Sequence, residues 1–341
     1  MRVGIIGTGA IAWKHAQAYK NIGYQVRACT NTTADRGRKF AEMAGAEFVE
    51  TAEQLCRHPE VDFVDVCTLP NYRLPAVELC AENGKHVLVQ KPMAIELETA
   101  RQMIVLARDA GIQLGVVSQH RFDDAVLFLK RAIAEGRLGR ILEADAYVKW
   151  YRSAAYYEPS VKGSWAGEGG GALINQAIHQ VDILLHLMGA VDEVFGRWQL
   201  GALHRIESED SLNALLHYSS GALGVIQAAT SFWPGYPERV EIHGTKGSAI
   251  ITGDQLTAWD VQDECGEAAP LAHLAATGAS DPMAISLLTI ERQLLDFGEA
   301  CKTGRSPACT GMDGFRALQL VRSIYTSCAE ARKVEIVPIV F

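Results

Sequence analysis

The sequence contains no Cys-x-x-Cys pair and no tight group of cysteine with histidine; Cys29, Cys56, Cys67, Cys80, Cys265, Cys301, Cys309 and Cys328 are scattered along it. That spacing excludes a zinc ribbon or dithiol redox pair and reads as small buried hydrophobes in a reducing compartment. There is no basic excess either: 32 Lys and Arg stand against 40 Asp and Glu, for a net charge of −8. Such a surface repels phosphate backbones and anionic lipid, so neither nucleic acid nor a membrane surface is an expected partner. Long apolar runs are also missing. Ser211–Pro237 carries no Asp, Glu, Lys or Arg, but Asn213, His217, Ser219-Ser220-Gly221 and Thr230 interrupt it. It reads as two short strands about a turn, because a bilayer helix needs roughly 20 predominantly apolar residues. No internal repeat or low-complexity tract is found. Met1-Arg2-Val3-Gly4-Ile5-Ile6-Gly7 shows no export-signal pattern, and a cytoplasmic location is expected.

What is present is ordinary globular sequence, 48% hydrophobic and 21% charged over 341 residues. That length suits two domains and a core that needs no metal or disulfide. The first 120 or so residues alternate short apolar runs (Val3–Ile6, Val26–Thr30, Val61–Thr68, Val87–Val89, Leu114–Ser118) with helical patterns (Ala10–Asn21, Ala34–Ala44, Glu96–Ala110). Such alternation predicts a parallel sheet with helices on both faces, an α/β fold. After Phe122 the pattern changes. A helix is predicted over Asp123–Glu135, and then Ile141–Trp150 alternates as a half-exposed strand, with Glu143, Asp145, Tyr147 and Lys149 on its solvated face. Leu212–Tyr218, Ala222–Thr230, Arg239–His243 and Ser248–Thr252 add strands joined by turn residues, predicting a mostly antiparallel sheet with helices on one side. A boundary near residue 121 separates a first domain, 1–121, from a second of residues 122–341. Arg152–Gly171 and Asp263–Pro282 are irregular, and the first leads into Gly169-Gly170-Gly171 as a binding loop would.

Gly7-Thr8-Gly9-Ala10-Ile11-Ala12 follows a predicted strand and opens a predicted helix. This is the context in which G-x-G-x-x-G/A binds a dinucleotide: a tight turn, close backbone approach to the pyrophosphate, and a helix N-terminus facing the phosphates. The second strand ends at Asn31 and Thr32, where an Asp or Glu would select NAD. Asn31 can bond a ribose without repelling a 2′-phosphate, and Arg36 lies close enough in sequence to help bind one. The cofactor is therefore expected to be NAD or NADP, with the choice open.

Three further strings carry a resemblance. Gly84-Lys85-His86-Val87-Leu88-Val89-Gln90-Lys91-Pro92 resembles the G-K-H-V-x-x-E-K-P segment of the glucose–fructose oxidoreductase / inositol dehydrogenase / MocA family. Gly169-Gly170-Gly171-Ala172-Leu173-Ile174-Asn175 through His179 and Asp182 is similar to its G-G-G-x-L-x-D-x-x-x-H-x-x-D segment. Gly314-Phe315-Arg316-Ala317-Leu318 through Tyr325 resembles its closing helix. The resemblance spans the chain. It implies an N-terminal Rossmann domain and a C-terminal α+β domain with a large, mostly antiparallel open-faced sheet for substrate binding and oligomerisation, and the half-exposed sheet suggests a homodimer or homotetramer. It also implies a pyridine-nucleotide oxidoreductase acting on a secondary alcohol of a sugar, polyol or sugar derivative.

By that resemblance Lys91 is the catalytic-site lysine, contacting substrate hydroxyl and cofactor, where a cation stabilises a developing alkoxide. His179 is the general acid/base, and an imidazole near neutrality suits the task. Asn175 replaces the family's Asp and is expected to position substrate, since it cannot take a proton at pH 7. Gln90 replaces the usual Glu beside the lysine. Thr68-Leu69-Pro70-Asn71 resembles the family's T-P-N turn near the cofactor; Gln119 and Arg121 follow the last strand of the first domain, where Gln119 is expected to reach the cofactor and Arg121 the substrate. Trp150, Arg152, Lys162 and Trp165 flank the glycine triplet; aromatic faces with cations suit a carbohydrate, and equally a subunit interface. No metal is expected, because His179, Asp182 and His186 lack the His-x-x-x-His spacing of helical zinc sites. Two other functions are compatible with the scaffold: a dinucleotide-binding sensor without turnover, and a glycosidase that uses NAD transiently.

Overall fold

A computed structural model describes residues 1–158, 161–263, 266–272, 286–337 and 339. Cys265 and most of the irregular stretch from Asp263 to Pro282 lie outside the described residues. The chain forms two compact units, one of residues 1–119 with 286–315, the other of residues 120–285 with 316–340.

The first unit is built on strands β1 (Arg2–Ile6), β2 (Gln25–Thr30), β3 (Glu47–Phe48), β4 (Phe63–Val66), β5 (His86–Val89) and β6 (Leu114–Val116). They pair in the order β3-β2-β1-β4-β5-β6, and every pair is parallel. Between them run α1 (Ala10–Asn21), α2 (Ala34–Ala44), α3 (Ala52–Arg57), α4 (Arg73–Glu82) and α5 (Leu97–Asp109). The strands are apolar on both faces because helices cover both: all four residues of β4 are buried. Local chemistry sets several helix ends. Thr51 and Gln54 form a reciprocal capping box on α3, and Gly45 closes α2 at φ 66°. The strand order reverses between β1 and β4, which is where open α/β sheets bind ligands.

The second unit contains α6 (Asp124–Ala134), β7 (Ile141–Lys149), the single turn α7 (Trp165–Glu168), α8 (Ile178–Met188), β8 (Val191–Leu200), β9 (Glu209–Tyr218), β10 (Leu223–Ala229), β11 (Arg239–Gly244), β12 (Gly247–Thr252) and β13 (Gln255–Val261). Helix α9 (Leu287–Thr303) belongs to the first unit; α10 (Gly311–Glu330) begins in the first and ends in the second, followed by β14 (Val334–Glu335). The eight strands run β13-β12-β11-β7-β10-β9-β8-β14, antiparallel except for the β7–β10 pair. One face is packed, with Ala144, Ala146, Ala214, Ala228 and Ala249 buried beside Leu212, Leu216, Ile226 and Ile242. The other face leaves Leu215 and Leu223 each 59% exposed. Asp145 was expected on the solvated face of β7. It is instead buried, accepting from the Val225 amide at 2.7 Å and the Tyr147 hydroxyl at 3.1 Å.

The division differs from the expected one at its C-terminal side, where 286–315 packs with the N-terminal unit. The reason is apolar: Phe297 of α9 is 1% exposed and meets Phe63 of β4 edge-on at 5.3 Å. Gln293 then donates to the Val116 carbonyl at 2.8 Å and accepts from the Ser118 amide at 3.0 Å, satisfying the end of β6.

Candidate active site

In the first unit, the predicted cofactor residues gather at the C-terminal edge of the sheet. Gly7 has φ 90°, and a Cβ there would sit 3.0 Å from the Thr68 side chain and 3.1 Å from the Cys67 backbone. Only glycine fits that turn. A Cβ on Gly9 would meet nothing within 4 Å, so the loop is open on its outer side. Helix α1 begins at Gly9 with no side-chain cap and no acid in its first turn. Its amides are therefore left for an anion. Thr8 is buried, and its hydroxyl and that of Thr68 have no hydrogen-bond partner among the described residues. Open glycine, uncapped amides and two unpartnered hydroxyls fit the pyrophosphate of a dinucleotide.

Asn31 accepts from the Thr8 amide at 3.5 Å and donates to the Thr33 carbonyl at 3.0 Å, so it ties the second strand end to the glycine loop. Thr32 and Arg36 are exposed, and Ala10 and Ile11 open the helix. Leu69 and Asn71 are exposed, while Pro70 and Gln119 are buried. Lys91 is half-buried after β5, and its bond to Pro92 is cis. Gln90 does not face solvent: its amide nitrogen meets His15 Nε2 at 3.0 Å, and His15 Nδ1 meets Asp65 at 2.6 Å. Tyr19 also donates to Asp65, at 2.8 Å. Burial, with the Asp65 charge and hydrogen bond added, pushes the Tyr19 phenol well above its ordinary value. Among the described residues His15, Asp65 and Cys67 are the one metal-capable group, and its members are hydrogen-bonded to one another.

Sequence reading missed Arg73. It is 3% exposed, and its guanidinium donates to the carbonyls of Thr68, Gln90 and Pro92, the Thr68 contacts being 3.1 and 2.7 Å. Burial pulls its pKa down to about 9, and it remains a cation at neutral pH. An arginine two residues past a turn asparagine gives no sequence signal, since most arginines there would be solvated.

In the second unit, the glycine triplet leads into a wide π turn, Leu173–Ala177, before α8. Such turns recur at functional sites because they re-aim side chains. From 168 to 184 every residue is buried except Asn175 and His179. Two polar side chains thus keep access to solvent in a segment that is otherwise core. The π turn holds Asn175 out of the regular helix that carries His179; Asp182, three residues past His179 on α8, is buried in a two-point pair with Arg121 at 2.7 and 2.6 Å. Two of the Arg121 nitrogens, expected to serve a substrate, are committed there.

Glu209 braces the triplet. It accepts from the Gly171 amide at 2.9 Å, the Leu173 amide at 2.8 Å and the Tyr325 hydroxyl at 2.7 Å. Burial pushes its carboxyl up to about 7 despite those donors. A Cβ on Gly171 would lie 1.9 Å from the Glu209 carbonyl oxygen, so the close approach of these backbones requires glycine.

His120 is a second residue that sequence reading missed. Its ring meets His179 edge-on, 5.1 Å between centroids, and its Nδ1 lies 2.9 Å from Asp123. Burial pulls the imidazole down, yet the Asp123 hydrogen bond and charge outweigh it and hold the group above its ordinary value. The three-residue spacing of His120 and Asp123 was the available signal.

Other expected substrate residues are partly built into the scaffold. Lys162 pairs with buried Glu168 at 3.2 Å and donates to the Tyr156 hydroxyl at 3.2 Å, which Gln176 also reaches at 3.1 Å. The indole of Trp150 donates to Glu238, and Arg152 covers its ring at 4.7 Å. Trp165 donates to the Glu207 carbonyl and packs on Trp198 and Tyr325.

Comparison with known proteins agrees with both units. Residues 1–118 match the profile described as "Oxidoreductase family, NAD-binding Rossmann fold", and residues 126–250 match "GFO/IDH/MocA C-terminal domain". The chain is 29% identical to myo-inositol 2-dehydrogenase of Thermotoga maritima, with 98% of each covered. It is also 29% identical to 1,5-anhydro-D-fructose reductase of Ensifer adhaerens, again with 98% of each covered. The WlbA dehydrogenase of Bordetella pertussis, solved with NADH and UDP-GlcNAcA, superposes with a TM-score of 0.87 at 25% identity over 99% of each chain. The chain belongs to the Gfo/Idh/MocA family of oxidoreductases, with an NAD-binding Rossmann domain at its N-terminus.

Proposed function

We propose that this protein is a dehydrogenase or reductase that interconverts a secondary alcohol and a ketone on a sugar, polyol or sugar derivative. The observation that carries the reading is the selective exposure of Asn175 and His179 within a buried segment of a family member. The relatives named for inositol and anhydrofructose support the substrate class.

In this reading NAD, held by the Gly7–Gly9 loop, Asn31 and the Thr68 turn, supplies the hydride acceptor when bound. His179 accepts the hydroxyl proton in the oxidation direction, and returns it in reduction. Lys91 places a cation on the oxygen as charge develops, and Asn175 orients the hydroxyl that reacts. The His120–Asp123 pair fixes the edge-on neighbour of the His179 ring. A sensor needs no such accessible proton-transfer group, and nothing in the site favours glycoside cleavage.

Two finer parts belong to the same proposal. The uncovered sheet face, with Leu215 and Leu223, supports assembly of a homodimer or homotetramer through that face. The described cysteines are free thiols, which supports a reducing, cytoplasmic location. No described helix is long and apolar enough to cross a membrane. The test is nicotinamide absorbance with NAD and NADP across inositols, aldoses, sugar acids and nucleotide sugars. A substrate-dependent rise supports the proposal; silence across the panel with NADH bound contradicts it.

A further inference from the structure

We infer that Arg73 is a positioning residue for Lys91, a role that rests on the function proposed above. A guanidinium has five donors in a rigid plane, and this one makes four hydrogen bonds to carbonyls of two separate loops, at Thr68 and at Gln90 and Pro92. Gln90 and Pro92 are the residues on either side of Lys91. The lysine backbone is therefore gripped from both flanks by one side chain.

The same side chain reaches the glycine loop through Thr68. The Thr68 methyl group is the atom a Cβ on Gly7 would meet at 3.0 Å. Arg73 thus joins the wall of the phosphate-binding turn to the segment that carries the lysine. Its register relative to both is set by planar, multi-point hydrogen bonding, which a lysine ammonium cannot reproduce.

Among the described residues no carboxylate pairs with Arg73, although it is 3% exposed. Burying a cation without a counter-ion is costly, and a neutral donor could have satisfied a carbonyl. A positive charge left uncompensated at this sheet edge favours an anion there, whether a pyrophosphate or an oxygen acquiring charge. Arg73 therefore makes two separable contributions. The fork holds the loops, and the charge favours the anion.

The test uses the full chain as wild type, Arg73→Lys and Arg73→Met. NADH affinity is read by fluorescence titration, and backbone amide hydrogen exchange by mass spectrometry. Losing the fork should accelerate exchange in residues 67–72 and 89–94 about tenfold in both variants, with the rest of the first unit unchanged. NADH affinity should fall about tenfold in Arg73→Met and by less in Arg73→Lys, which keeps the charge. Exchange that rises evenly through the unit, or loop exchange equal to wild type, overturns the positioning role. Equal NADH affinity in the two variants overturns the charge contribution. A wild type that binds no NADH overturns the cofactor reading instead, and the exchange comparison still decides the role of the fork.

Discussion

Arg121 and Asp182 meet in a buried two-point ion pair, with nitrogen–oxygen distances of 2.7 and 2.6 Å and each side chain 6% exposed. Asp182 lies three residues past His179 on α8, so the pair anchors the helix that presents the histidine to the chain just before α6. Removing one partner leaves the other charge buried without its two-point ion pair. Asp182→Asn should therefore destabilise the protein by about 3–5 kcal/mol, read as a lower denaturant midpoint. A loss near zero would mean that the pair is open to solvent and does not hold α8.

Glycine at 171 is required by contact. Gly171→Ala would drive its methyl group into the Glu209 backbone, 1.9 Å away, and must displace the turn that leads to Asn175 and His179. We expect a loss of about 2 kcal/mol or more and a fall in kcat, with NADH affinity retained because the cofactor loop lies in the other unit. Equal kcat in wild type and variant would detach the triplet from catalysis.

Glu209 makes stability depend on pH with a definite sign. Its folded value, about 7, is above its ordinary 4.5, so the folded protein holds this proton more tightly than the unfolded chain. The contribution is complete below the unfolded value and is lost as pH rises through the folded one. Between pH 5 and pH 8 wild type should lose about 2–3 kcal/mol from this group. Glu209→Gln lacks that loss, so the stability difference between variant and wild type should shift in favour of the variant by that amount. Urea unfolding of both proteins at the two pH values reads it directly, and a constant difference would contradict the assignment.

The glycine loop gives a prediction for the cofactor. Gly7→Ala forces a left-handed backbone on alanine and presses it against Thr68 and Cys67. NADH binding should weaken about tenfold or more, measured by fluorescence titration, since such strain costs roughly 1–2 kcal/mol and misplaces the amides. Unchanged affinity would place the dinucleotide elsewhere.

How much of this was legible in the sequence depended on whether the signal was local. Helices α1 and α2 fall at their expected bounds because apolar period and glycine placement are local properties. Strand β8 and helix α9 gave no clear pattern, and α9 joined the first unit through Phe297, a contact that chain order does not reveal. The family strings located Lys91, Asn175 and His179. They could not show that Asn175 lies in a π turn, since that depends on Glu209 and Tyr325 gripping the triplet from distant strands and helices. Arg73 and Glu209 escaped for a common reason. Each is a charged residue whose burial is decided by tertiary packing, and composition alone would place it in water.

In the proposed reaction His179 moves the substrate proton while other residues hold the cofactor. It is tested most directly by comparing wild type with His179→Ala in one preparation, reading NADH affinity by fluorescence and substrate-dependent nicotinamide absorbance with the best compound of the carbohydrate panel. The account predicts equal NADH affinity and a kcat lower by about 10²–10⁴ in the variant. A variant that turns over at a rate near wild type would contradict it.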